Sequence, residues 1–208
     1  MNWKRLEQAE NNFLEAYPGG FANPEMVAIG KKHRFGKLVA FAQEQFTPAL
    51  FDDPNAAIEI ALKVISRSSL VSMFEKPKFR DFVRSMHSND KIIEATAIRE
   101  MLLGNEKEGF ESLLSELAGV GLAKWTLVTA LPACFRPDDD VFVKPTTTKL
   151  VIRELELPLT YSPRPTWEFY AEYRDYVAQM RRRLKRLAAP NNAAFCGFLM
   201  TALRKSLS

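Results

Sequence analysis

Cysteine is scarce in this chain, with Cys134 and Cys196 its only two, so neither a disulfide framework nor a four-thiolate cluster can be built. Histidine is as rare. His33 and His87 stand far apart, with no cysteine or acid at ligand spacing, and no metal site or other cofactor is expected. No run of eighteen apolar residues occurs, which excludes a membrane-spanning helix of the ordinary kind. The opening segment "MNWKRLEQAENNF" is too polar for a signal peptide, so a cytoplasmic, nucleoid-associated protein with no membrane partner is expected. Strand-like alternation, internal repeats and low-complexity tails are missing too.

What remains is helical. Of 208 residues, 47% are hydrophobic and 26% charged, enough for a real core in one or two domains. Trp3, Leu6, Phe13 and Leu14 fit one helix face. "DDPNAAIEIALKVI" opens with Asp53 as cap and Pro54 at the first helical position. Further helical stretches run over "RFGKLVAFAQEQF", Phe79 to Met86, Asn89 to Leu103, "KEGFESLLSEL", "AKWTLVTAL", "VKPTTTKLVIRELEL", Trp167 to Leu187 and Asn192 to Leu207. The fold class is all-α, with nine or ten helices. A net charge of +4 permits nucleic-acid binding without establishing it.

One stretch breaks the pattern. In "LAGVGLAKWT", Gly119 and Gly121 interrupt two helices, although each glycine costs about 1 kcal/mol against alanine inside a helix. Two readings stand. The turn is an ordinary helical hairpin with a glycine cap. Or it is a helix–hairpin–helix whose glycines bring backbone N–H groups close to a phosphate, with Val120 packed between the helices and Lys124, one turn into the second helix, neutralising the phosphate.

Nineteen residues after Gly121 comes Asp140, in "PDDDVFVKP". Hairpin and aspartate together resemble the helix–hairpin–helix DNA glycosylase superfamily, nearest its 3-methyladenine branch; "VISRSS", Val64 to Ser69, resembles the segment opening that family's DNA-entering loop. The resemblance covers residues 54–157, with the hairpin at 112–130 and the aspartate loop at 132–145; residues 1–53 and 158–208 are helical flanks. It implies a single glycosylase-like domain of two helical subdomains with a cleft between them. It also implies a monomeric repair enzyme that flips a damaged or mismatched base from double-stranded DNA and hydrolyses its N-glycosidic bond.

In that reading Asp140 stabilises the oxocarbenium-like sugar and caps the following helix, while Asp138 and Asp139 are solvated loop acids. Gly119, Val120, Gly121 and Lys124 hold the backbone. Ser68 takes the place of a gap-filling glutamine and is too small to plug the stack; Arg67 could do so or stay solvated. Trp125 stacks on the flipped base or sits in the core. The family's Schiff-base lysine position is Ala123, which implies hydrolysis without strand cleavage, with Lys124 the residue that could restore it. The alternative is a helix–hairpin–helix protein that binds DNA without excision; a helical interaction scaffold is the third possibility. "MRRRLKR", Met180 to Arg186, reads as a solvated face before a DNA stripe, and "WEFYAEYRDY" as mostly core.

Overall fold

The computed structural model describes residues 1–205. Every regular element among them is helical: α1 (Trp3–Ala16), α2 (Pro24–His33), α3 (Phe35–Gln45), α4 (Pro54–Arg67), α5 (Glu75–Ser85), α6 (Ser88–Leu103), α7 (Glu106–Gly119), α8 (Trp125–Val128), α9 (Ala130–Phe135), α10 (Pro145–Glu154), α11 (Trp167–Arg183) and α12 (Asn192–Lys205), with three short 3₁₀ turns. The all-α class stands. The last two residues of the expected final helix, Ser206 and Leu207, lie outside the described residues.

The helix count is higher than the periodicity suggests, for two reasons. Helix α2 begins on Asn23, whose side chain accepts from the Glu25 N–H, and carries Pro24 in its first turn. This is the same start signal as Asp53–Pro54, but on a helix mostly exposed and without a strong apolar stripe. The expected helix over "AKWTLVTAL" is instead two, α8 and α9. Pro132 has no N–H and would clash with a preceding carbonyl in a helix interior. Restarting at Ala130 puts it in a first turn, where neither matters.

Asp53 caps α4 as expected, its carboxylate accepting from the Asn55 and Ala56 N–H groups. Buried apolar residues from Leu6 to Leu203 form one continuous cluster, so the flanks share a core with the 54–157 segment. Helices α6 and α7 fold back on each other across Gly104–Asn105. No helix among the described residues is long and apolar enough to cross a membrane.

The tightest approach in this core is at Gly109 of α7. A Cβ there would stand 2.0 Å from the Met101 nitrogen, 2.5 Å from Met101 Cα and 2.7 Å from the Ala97 carbonyl oxygen. All three belong to α6, and backbone cannot swing aside. Gly109→Ala is expected to destabilise the fold by about 3 kcal/mol or more, read from urea unfolding. Gly197→Ala, on an α12 position with open space around it, is the control and should be neutral or slightly stabilising; equal behaviour of the two would refute close α6–α7 packing.

Candidate functional site: the hairpin and the aspartate loop

The hairpin turn has a definite hydrogen-bond pattern. Helix α7 ends at Gly119, the Gly121 N–H donates to the Ala118 carbonyl at 3.1 Å, and the Leu122 N–H donates to the Leu117 carbonyl at 2.7 Å. These are the two bonds of a Schellman cap, which needs a left-handed residue just past the helix. Gly121 supplies it at φ +72°. Leu117 and Leu122, both buried, make the apolar contact that accompanies such a cap. It is therefore Leu122 that packs inward, and Val120, expected between the helices, is 51% exposed.

Gly119 has no comparable reason. Its φ is not positive, and a Cβ there would meet nothing within 4 Å. Neither strain nor crowding asks for glycine, so the fold carries the helix-propensity cost at Gly119 without a packing return. Lys124 is exposed and precedes α8, at its N-cap, instead of lying one turn inside a helix.

Three other expected contact residues are placed as follows. Trp125 is 1% exposed; its Nε1–H donates to the Ser162 carbonyl at 2.7 Å and its ring lies 5.1 Å from Phe169. It is a core residue and cannot stack on a base. Ser68 is fully buried, its hydroxyl accepting from the Leu70 N–H, so it does not face a ligand. Arg67 is exposed, its guanidinium 4.6 Å from the Phe41 ring centre. The loop that follows Ser68 is tied to the hairpin: the Thr126 hydroxyl donates to a Glu75 carboxylate oxygen at 2.6 Å.

Asp140 does not cap a helix. Helix α10 starts only at Pro145, with Lys144 at its N-cap, because buried Val141, Phe142 and Val143 extend the chain between. The Asp140 side chain has no solvent exposure. Oδ2 accepts from Arg136 Nε at 2.7 Å, and Oδ1 accepts from the Tyr170 hydroxyl at 2.8 Å and from Arg174 Nη1 at 2.9 Å. The same two guanidinium groups bind Glu106 Oε1, at 2.8 Å from Arg136 and 2.5 Å from Arg174. Arg136 also donates to the carbonyls of Leu102 and Met101. Burial, with Asp140 close by, raises the Glu106 carboxyl above its ordinary value against the pull of Arg174. Burial and the Asp140 charge hold the Tyr170 phenol far above its own.

Arg174 and Tyr170 were not legible as site residues, though Arg174 stands four after Tyr170 and so shares its helix face. Asp138 is exposed but paired with Arg181 at 2.8 Å. The "MRRRLKR" stretch is neither a free DNA stripe nor a plainly solvated face: Arg183 pairs with Glu7 at 2.7 Å and Arg186 with Glu10 at 3.6 Å. Those acids lie three apart on α1, a complementarity visible in the sequence only once α1 and α11 are known to meet.

Beside the hairpin lies a hollow of about 320 Å³ whose wall includes Asp90, Glu94, Glu116, Gly119 and Val120. Glu94 is 1% exposed, and neither carboxylate oxygen has a hydrogen-bond partner. Burial, then the Glu116 charge, pushes its pKa up to about 8. No group of three or more His, Cys, Asp or Glu among the described residues could hold a metal ion; the His33 side chain lies outside them. The chain matches no model of a known protein family, no curated protein and no solved structure.

Two expectations follow from the buried acids. Asp140→Asn would turn an NH₂ donor toward a guanidinium and leave two arginines short of a counter-charge. It should destabilise the fold by about 3 to 5 kcal/mol, read by chemical unfolding; a near-neutral variant would refute the network. For Glu94 the folded-state pKa is raised, to about 8 from 4.5. The folded state therefore holds its proton where the unfolded chain has lost it. This contribution is complete below pH 4.5 and is lost as pH rises through 8, at no more than about 1.4 kcal/mol per pH unit. Glu94→Gln should flatten that decline and be the more stable protein at pH 9; unchanged pH dependence would place Glu94 in water.

Proposed function

We propose that this protein binds double-stranded DNA through its sugar–phosphate backbone, using the α7–α8 hairpin, in the manner of the non-excising form of the helix–hairpin–helix reading. Gly119 carries that reading. A helical glycine unexplained by φ or by neighbours leaves bare backbone at the surface, two residues from a turn glycine and five from the exposed Lys124, which is in no ion pair among the described residues. Close approach of a phosphate, drawn by the Lys124 ammonium, accounts for the missing side chain at Gly119 and for the exposed lysine, while Gly121 is required by the turn itself. Such contacts position a protein on a duplex and read no sequence.

Excision, as the resemblance to the glycosylases implies it, asks for a carboxylate open on one side to a flipped sugar. Asp140 has every oxygen engaged and no exposed surface, so binding without excision takes precedence. A screen of lesion-containing duplexes read for abasic sites separates the two: alkali-labile product would restore the enzyme, with a carboxylate other than the enclosed Asp140 to be sought.

The protein is expected to bind unrelated duplexes with similar strength. Gly119→Gln should cost binding to all of them at least tenfold while leaving the unfolding midpoint unchanged or higher, since glutamine is the better helix former. Lys124→Gln should make the salt dependence of binding shallower by about one counterion. Wild-type affinity in Gly119→Gln across a salt series would remove the hairpin as the contact.

A further inference from the structure

The formal charge of the whole chain is +4, and all of that excess lies in one segment. From Met26 to Gln43 there is no Asp or Glu, but there are Lys31, Lys32, Arg34 and Lys37; with those four set aside, basic and acidic residues balance at 25 each. The four sit where α2 meets α3. All are exposed, and none is in an ion pair among the described residues. Arg34 itself makes the corner, in the left-handed region at φ +54°. Next to it is Gly36, a first-turn residue of α3 with nothing within 4 Å of where its Cβ would be. The corner combines unpaired charge with bare backbone, as the hairpin does.

Contacts connect the two places. Lys37 and Phe41 lie one turn apart on α3. Arg67, at the end of α4, rests on the Phe41 ring. The loop after Arg67 leads to Glu75, which holds Thr126, two residues beyond Lys124. Basic groups thus recur along a chain of contacts from the corner through Arg67 to the hairpin.

We infer that the α2–α3 corner is a second DNA-backbone contact, with Lys31, Lys32, Arg34 and Lys37 neutralising phosphates of the duplex held at the hairpin. This rests on the proposed DNA-binding function and deepens it. A membrane surface would use the same charges, but it also needs a broad apolar face beside them; α2 offers only the half-exposed Val27 and Ile29.

The test is the salt dependence of binding to a fluorescein-labelled duplex, for the intact protein and for a Lys31→Gln, Lys32→Gln, Arg34→Asn, Lys37→Gln variant. Asparagine tolerates the left-handed conformation at position 34, so the unfolding midpoint should hold. Each lost phosphate contact lowers the slope of log K against log salt by about 0.9. The variant should therefore be shallower by about 3.6, and adding Lys124→Gln should lower the slope by about 0.9 more. An unchanged slope in the variant, with Lys124→Gln still effective, would overturn the corner and leave the hairpin. No duplex binding by the intact protein would overturn the proposed function itself. Charge-dependent binding to phosphatidylserine vesicles with no duplex binding would assign the corner to membranes and overturn it equally.

Discussion

Four charges and a phenol hold the middle of this molecule together. Asp140 and Glu106 balance Arg136 and Arg174, and Tyr170 supplies the remaining proton. The five members come from three places: the loop after α9 (Arg136, Asp140), the start of α7 (Glu106) and α11 (Tyr170, Arg174). Arg136 reaches the end of α6 as well, taking two carbonyls that a helix C-terminus leaves without partners. Asn192, at the start of α12, donates to the carbonyls of Asp138 and Asp140. A buried ion pair gains little over apolar packing of the same shape, but losing one partner leaves a desolvated charge. The network therefore fixes which elements meet more than it adds stability.

The two hairpin glycines look alike in sequence and are explained by different physics. Gly121 is needed by the fold, because a residue with a side chain at φ +72° is strained and the Schellman bonds require that conformation. Gly119 has a helical neighbourhood and open space. A side chain there would harm nothing inside the protein. A fold-based cause thus covers one glycine and not the other.

Much of the architecture was legible because periodicity and caps are local. Asp53–Pro54, the α1 stripe and the Gly104–Asn105 stop are all decided by residues within one turn of each other. Side-chain partners across the fold are not. Asp140 has the same neighbours in sequence whether it faces a sugar or an arginine; only the arrival of Tyr170 and Arg174 from thirty and thirty-four positions away decides it. The same holds for Trp125, enclosed by Phe169 and the Ser162 carbonyl, and for Arg183 and Arg186, whose acids are on α1. Lys124 was misplaced by a smaller error: the Schellman turn takes up residues that a continuous second helix would have used.

The disposition of acids bears on what the molecule can do. A carboxylate that stabilises a developing cation must be ionised and must lose its water only when the substrate arrives. Asp140 is already enclosed by two guanidinium groups and a phenol. Glu154 is buried against Arg5 and Arg153. Glu94 is buried without a cation and keeps its proton to about pH 8, so the negative charge of the hollow beside the hairpin comes from Asp90 and Glu116 in its wall. These buried acids are either paired or protonated. Exposed cations stand at Lys37, Arg67 and Lys124. These are the groups that the proposed backbone contact would use.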